Sequence, residues 1–252
     1  MIEERSERRP DGDSPVFALI HSPLVGPATW KPVAKELRRR GIPTVVPDLG
    51  RPAESSTPFW RQHAHSAAEC LRQVPLDGRL ILVGHSGAGV LLPAIADAIG
   101  KPIAYVFVDA GLPKDAESRL GTGTFAEYIR ELYAQGGRFP NWTAEDLAEI
   151  IPDPQQRRRL VAGLRPQPLA FWEEPIPVSA DWPDAPCGYL RFTPNPSYDE
   201  AAAEAQRRGW PYAELPGNHF ALLVDPAAVA DMLLDLVRKL PRTAPAQPGN
   251  PG

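Results

Sequence analysis

Leu80-Ile-Leu-Val-Gly84-His85-Ser86-Gly87-Ala88-Gly89 leads from four apolar residues through a cluster of small ones into a helical pattern. The apolar run reads as a buried strand. Beyond it, Val90, Leu91, Ala94, Ile95 and Ala98 form one stripe at helical spacing. A strand that turns into a helix within so few residues forces Ser86, at the apex, into strained backbone geometry. Small neighbours at Gly84 and Ala88 let the two elements approach. The hydroxyl is thereby pushed out of the sheet, with the Gly87 N–H and the positive end of the helix dipole beside it. Ser86 is therefore the candidate nucleophile and Gly87 the first candidate oxyanion donor. The competing reading is a Gly-rich turn used only for packing; the glycine spacing is not that of a dinucleotide fingerprint.

Outward from this turn, apolar β-type runs at Val16 to Ile20, Thr44 to Val46, Ile103 to Val108 and Tyr189 to Phe192 alternate with helical patterns. One of these is Val229, Met232, Leu233, Leu236 and Val237. The alternation predicts an α/β domain whose mostly parallel central sheet carries helices on both faces. From 112 to 186 short helical pieces, Phe125 to Ala134 and Glu145 to Ile150, are joined by Pro- and Gly-rich segments, which reads as an inserted helical cap. Thr124 with Glu127, and Thr143 with Asp146, have the spacing of reciprocal helix caps. Residues 15–240 form one domain, while 1–14 and 241–252, polar or rich in Pro and Gly, are expected to be disordered.

At 252 residues and 43% hydrophobic content the chain can bury a large core. Its net charge of -4 is spread over interspersed acids and bases, which argues against nucleic acid as a partner. The charged start and the lack of an apolar run of about 18 residues argue against a membrane, and a cytoplasmic location is expected. Cys70 and Cys187, the two cysteines, read as ordinary buried thiols. His63 and His65 lie two apart on a helical pattern and face different ways, and metal-ligand spacing appears nowhere else. Composition leaves the oligomeric state open.

The elbow and the strand–helix order resemble the α/β-hydrolase superfamily across nearly all of 15–240, including the place of the cap. A second match is Pro216-Gly-Asn-His219-Phe, after the strand-like Pro211 to Leu215 and before the last helix, where that superfamily carries its base. The resemblance implies that His219 takes the Ser86 proton and later returns it. Family members usually carry the third member after the strand that is here Gly188 to Phe192. Asp199 lies late for that role, and Ser197 with Glu200 reads as a capping box that makes it a first-turn helix acid. Asp109, closing Tyr105-Val-Phe-Val-Asp109, is similar to the alternative acid position of some haloalkane dehalogenases and is the expected partner of His219.

Ile20-His21-Ser22-Pro23-Leu24-Val-Gly26-Pro-Ala-Thr-Trp30 resembles the superfamily's His-Gly oxyanion loop, with Ser22 in place of the glycine. Pro23 stands where plant hydroxynitrile lyases and esterases offer the second oxyanion N–H, and proline has none. Leu24 N–H, the Ser22 hydroxyl or a water is needed as a substitute. His21, Ser22, Pro23 and His85 are expected to line the site. Among the cap aromatics Phe125, Tyr128, Tyr133, Trp142, Phe171 and Trp172, Tyr128 and Trp172 are expected to meet a compact small-molecule substrate. The expected chemistry is hydrolysis of a small ester, lactone or thioester without a cofactor or metal. The alternatives are a cofactor-free lyase, dehydratase or cyclase on the same Ser/His pair, and a ligand-binding protein without turnover.

Overall fold

The computed structural model describes residues 14–52, 57–74, 78–100, 103–114 and 117–242, so of the terminal segments 1–14 and 241–252 expected to be disordered all but 14, 241 and 242 lie outside the described residues. Among the described residues eight strands run in chain order: β1 (Pro15–Ile20), β2 (Thr44–Val45), β3 (Arg79–His85), β4 (Ile103–Val108), β5 (Glu117–Ser118), β6 (Ile176–Pro177), β7 (Cys187–Thr193) and β8 (Tyr212–Pro216). Six of them form one sheet in the order β2-β1-β3-β4-β7-β8, and each of its pairings is parallel. The helices are α1 (Lys31–Arg39), α2 (Phe59–Arg72), α3 (Leu92–Ile99), α4 (Gly123–Ala134), α5 (Pro154–Ala162), α6 (Leu169–Glu173), α7 (Asp199–Arg207), α8 (Ala221–Val224) and α9 (Pro226–Lys239).

Successive strand residues point to opposite faces, so a continuously apolar strand feeds two cores at once. Val16, Ala18, Ile20, Leu80 and Leu82 pack with Ala64 and Leu71 of α2 and Leu92 and Ile95 of α3. Phe17, Leu19, Ile81 and Val83 pack on the other face with Val33 and Leu37 of α1 and Leu233 and Leu236 of α9. Parallel strands need such cover on both sides, and the helical stripes of the sequence supply it.

Between β4 and β7 the chain leaves the sheet to form α4, α5 and α6, the expected cap. Its own core joins Ile129, Leu160, Phe171 and Trp172 to Leu24, Phe59 and Phe220 of the sheet domain. At its foot β5 pairs antiparallel with β6. Polar ties fasten it as well. The buried Arg165 guanidinium reaches Asp48 Oδ1 at 2.8 Å and the Gly50 carbonyl at 2.8 Å. Glu174 accepts the Phe59 and Trp60 N–H groups at 2.8 and 2.7 Å, capping α2 from outside the sheet domain.

Several local expectations change. Thr143 and Asp146 do cap reciprocally, at 2.8 and 3.2 Å, but 144–150 forms successive turns rather than a helix. Thr124 lies inside α4, which begins after Thr122, so no cap forms with Glu127. Ser197 is likewise not a cap: Asn195 accepts the Ser197 N–H at the start of a short 3₁₀ turn, and α7 follows directly. Strand–helix closeness at the elbow is seen at Gly84, whose Cβ position lies 3.0 Å from the Leu92 side chain, and Gly89 gives a second close approach, where a Cβ would stand 2.1 Å from the Gly111 carbonyl oxygen in the loop after β4.

Candidate active site

Ser86 sits between β3 and the 3₁₀ turn Ser86–Leu91 with φ of 59°, a left-handed conformation that costs a serine about 1–3 kcal/mol. Its strain is held by β3, which is hydrogen-bonded on both sides, and by the contact at Gly89. The residue is only 9% exposed. Asp109, closing β4, is fully buried and also left-handed, with φ of 43°. Sequence reading did not find what pins it. The Tyr189 hydroxyl donates to the Ala110 carbonyl at 2.8 Å and accepts the Ala110 N–H at 3.3 Å, clamping the residue after Asp109. Burial pushes the Tyr189 phenol well above its ordinary pKa, so the clamp stays protonated.

The His219 Nδ1–H donates to Asp109 Oδ2 at 2.6 Å. Asp109 Oδ1 accepts the Phe192 N–H at 3.3 Å, and Asn195 gives its side-chain amide to Oδ2. Asp199 lies outside this cluster, in the first turn of α7, paired with Arg191. The loop that carries His219 is tied to the cap, because Asn218 donates its amide to the Ile150 carbonyl at 2.7 Å.

The Ser86 hydroxyl is hydrogen-bonded not to His219 but to the Tyr198 hydroxyl, at 3.0 Å. The Tyr198 ring stacks on the His219 ring with centroids 5.5 Å apart and planes 20° from parallel. Serine and imidazole are thus neighbours across one phenol. Burial pushes the Tyr198 phenol up to about 12, and no motif or spacing in the chain pointed to this residue.

His85 departs from its expected place lining the site. It is buried beneath His219, its ring stacked on the His219 ring at 4.4 Å, and its Nε2–H donates to the His219 carbonyl at 3.0 Å. Burial, and then the charge His219 can carry, hold its pKa well below the ordinary histidine value. A neutral His85 can lie against a protonated His219 without like-charge repulsion. His21 is also corrected from substrate contact: it is fully buried, donates from Nδ1 to the Ser22 carbonyl at 2.8 Å and accepts the Leu49 N–H at Nε2, 3.2 Å away. It braces the loop from behind.

In that loop the expected Leu24 donor is engaged elsewhere, since its N–H donates to Ser22 Oγ at 3.4 Å. Ser22 Oγ lies 3.3 Å from the Cβ position of Gly87, which places the Ser22 hydroxyl beside the Gly87 backbone. The cap fixes the loop: Gln167 donates to the Pro23 carbonyl at 2.9 Å and the Arg165 N–H to the Leu24 carbonyl at 2.8 Å. Leu120 closes over Gly87 from above, its nearest methyl 2.9 Å from the Cβ position.

The two cap aromatics expected to meet substrate do not face Ser86. Tyr128 is 47% exposed and stacks on Phe125. Trp172 is buried, donates its indole N–H to the Tyr133 hydroxyl and lines a separate cap cavity of 260 Å³ with Ile129, Arg130 and Leu169. His63 donates from Nδ1 to the Leu49 carbonyl at 2.9 Å, and His65 is exposed. Cys70 and Cys187 are both free thiols, Cys187 buried and Cys70 half-buried. Among the described residues no group of three or more His, Cys, Asp or Glu is placed to hold a metal ion, and no helix is long and apolar enough to cross a membrane.

A carbendazim hydrolyzing esterase from Nocardioides sp. (strain SG-4G) is 26% identical over 250 residues, covering 87% of this chain and 98% of the relative. Among solved structures, an extracellular alpha/beta-hydrolase from a Paenibacillus species matches with a TM-score of 0.70 and 20% identity, over 88% of this chain and 98% of the other. That protein is described as sharing structural and functional homology with tobacco salicylic acid binding protein 2. Tomato methylketone synthase I matches with a TM-score of 0.68 and 16% identity, over 91% and 99% of the two chains. These two likenesses concern the fold. The model of the Alpha/beta hydrolase family matches residues 17–232, from the first core strand into the last helix and across the cap, and this chain belongs to that family.

Proposed function

We propose that this protein hydrolyses a small carboxylic ester, lactone or thioester, with Ser86 as nucleophile, His219 as base and then acid, and Asp109 as the group that orients His219. The observation that carries the reading is the 2.6 Å contact between His219 Nδ1 and the buried Asp109 carboxylate, one phenol away from the strained Ser86. Asp109 fixes the imidazole so that Nε2 is the basic nitrogen, and it stabilises the imidazolium that forms. The named esterase activity of the Nocardioides relative supports the ester class.

Ser86 Oγ attacks the carbonyl carbon and its proton passes to His219 Nε2. The Gly87 N–H and the Ser22 hydroxyl face the oxygen that becomes negative. The Leu24 N–H, bonded to Ser22 Oγ, leaves the Ser22 O–H free to donate outward and polarises it. His219 then protonates the leaving group, and water activated by the same imidazole releases the acid. A fluorophosphonate probe followed by mass spectrometry tests this: labelling at Ser86 that Ser86→Ala abolishes is expected, and a folded protein that fails to label there overturns it.

One observation favours a second reading. With Pro23 lacking an N–H and Leu24 turned to Ser22, the loop offers no free backbone donor at this place. A cofactor-free lyase, dehydratase or cyclase, moving protons between substrate, Ser86 and His219, needs no two-donor hole. Turnover in heavy-oxygen water separates the two, since label enters the product acid under hydrolysis alone.

A further inference from the structure

The Ser86 hydroxyl has Ser22 and Gly87 on one side, and His219 with Tyr198 stacked on it on the other. Acyl transfer needs the first side for the carbonyl oxygen and the second for the departing oxygen, because the imidazole must reach the group it protonates. Tyr198 therefore stands where the leaving group will lie. We infer that Tyr198 is a catalytic residue of this site, whose phenol O–H holds Ser86 Oγ at rest and turns to the leaving oxygen of an ester once Ser86 Oγ has bonded to the carbonyl carbon and before the alkoxy bond breaks. The inference rests on the hydrolase reading above and extends it to substrates with alkoxy leaving groups.

Three observations support it. The phenol lies 3.0 Å from the atom that reacts, so a small movement transfers its hydrogen bond to an oxygen bound to the same carbon. Burial keeps it protonated at neutral pH, so it serves as a donor and cannot compete with His219 as base. Its position is set by the turn that also holds the acid: Asn195 accepts the Ser197 N–H at 3.3 Å and donates to Asp109. A shift of this turn would disturb phenol and acid together.

The step balances without any further reactant. Ser86 gives its proton to His219 and forms the bond to the acyl carbon; the bond to the alkoxy oxygen breaks, and that oxygen takes the proton from His219. Tyr198 keeps its own proton throughout and contributes a hydrogen bond as negative charge grows on the leaving oxygen. An alkoxide, a poor leaving group, needs that donor, whereas 4-nitrophenolate departs without help.

The test is Tyr198→Phe, which retains the ring stacked on His219, assayed on an ethyl ester and a 4-nitrophenyl ester of one short acid. The expected loss in kcat/KM is about tenfold to a hundredfold on the ethyl ester, the scale of one hydrogen bond to a developing charge, and less than about twofold on the 4-nitrophenyl ester. Phosphonate labelling of Ser86 in the variant should proceed at least as fast as in the unaltered protein, since the phenol no longer occupies the hydroxyl. Equal losses on both esters, or none on either, overturn the role of Tyr198. Unaltered protein that fails to label at Ser86 overturns the hydrolase reading instead. A series of alkyl esters on the unaltered protein needs no substitution: a shallow dependence of kcat/KM on alcohol pKa is expected, and a steep one overturns the inference.

Discussion

Asn195 donates its side-chain amide to Asp109 Oδ2, the same oxygen that receives the His219 Nδ1–H. Asn195 follows β7, where relatives of this fold usually carry the acid, and its Nδ2 lies 3.4 Å from His219 Nδ1. One position supplies the charge and the other neutral support.

Asn195→Asp brings a second carboxylate against a fully buried one, and like charges that close oblige one of them to hold a proton at neutral pH. Esterase activity is expected to fall, with the acid limb of the pH–rate profile moved upward. The double variant Asp109→Asn/Asn195→Asp, which keeps one carboxylate within reach of His219, should recover part of the activity that Asp109→Asn loses. Steady-state kinetics of the three variants checks this.

Asp109→Asn by itself preserves shape but removes the charge that orients His219. A loss in kcat on the order of 10³–10⁴ is expected, with KM changed little. Single-turnover assays with a 4-nitrophenyl ester measure it.

Ser22→Ala removes the hydroxyl proposed as the second oxyanion donor and leaves the Leu24 N–H without its acceptor. A fall in kcat of about a hundredfold to a thousandfold is expected, the usual effect of losing one such donor. An unchanged kcat would assign the second donor to another group.

Asp48 links sheet and cap, and its carboxyl is held well below the ordinary aspartate range by the His21 ring 3.7 Å away and by the Arg165 ion pair, against the opposing effect of burial. A carboxylate whose pKa is depressed by folding contributes stability above its unfolded pKa of about 3.9 and loses it as pH falls toward the folded value. Melting temperatures of the unaltered protein and Asp48→Asn should therefore differ at pH 6 and begin to approach each other only below about pH 4, with the gap still open at about pH 3. A gap that fails to narrow at all between about pH 5 and about pH 2 would count against the ion pair as the cause.

Gly89→Ala would place its methyl 2.1 Å from the Gly111 carbonyl, and backbone cannot yield as a side chain can. Destabilisation of about 3 kcal/mol or more is expected in urea unfolding, with activity lost in step.

The sheet was legible because its central strands β1, β3 and β4 are apolar along most of their length, and the elbow because a serine between small residues after such a strand has few other uses. The pairing of His219 with Asp109 followed from the family resemblance, in which His219 comes after the nucleophile in the chain and Asp109 matches an alternative acid position at the end of a strand. Tyr189 and Tyr198 were not legible: each acts through a hydroxyl bonded to a residue 79 or 112 positions away, and no local pattern records such a distance. His85 and His21 were misplaced because a histidine beside a nucleophile reads as polar and accessible, whereas both are packed beneath the site they support. Tyr128 and Trp172 were misassigned because aromatic content says how much ring surface the cap has, not which way it turns.

The short β5–β6 ladder joins the place where the chain departs from the sheet to the place where it returns. An excursion whose two feet stand together puts no tension on the strands at either side. Its helices can be lengthened, trimmed or traded for others while β4 and β7 keep their alignment. Variation in what such a scaffold admits can thus accumulate in this upper storey wherever its ties to the loops of Pro23 and His219 are kept.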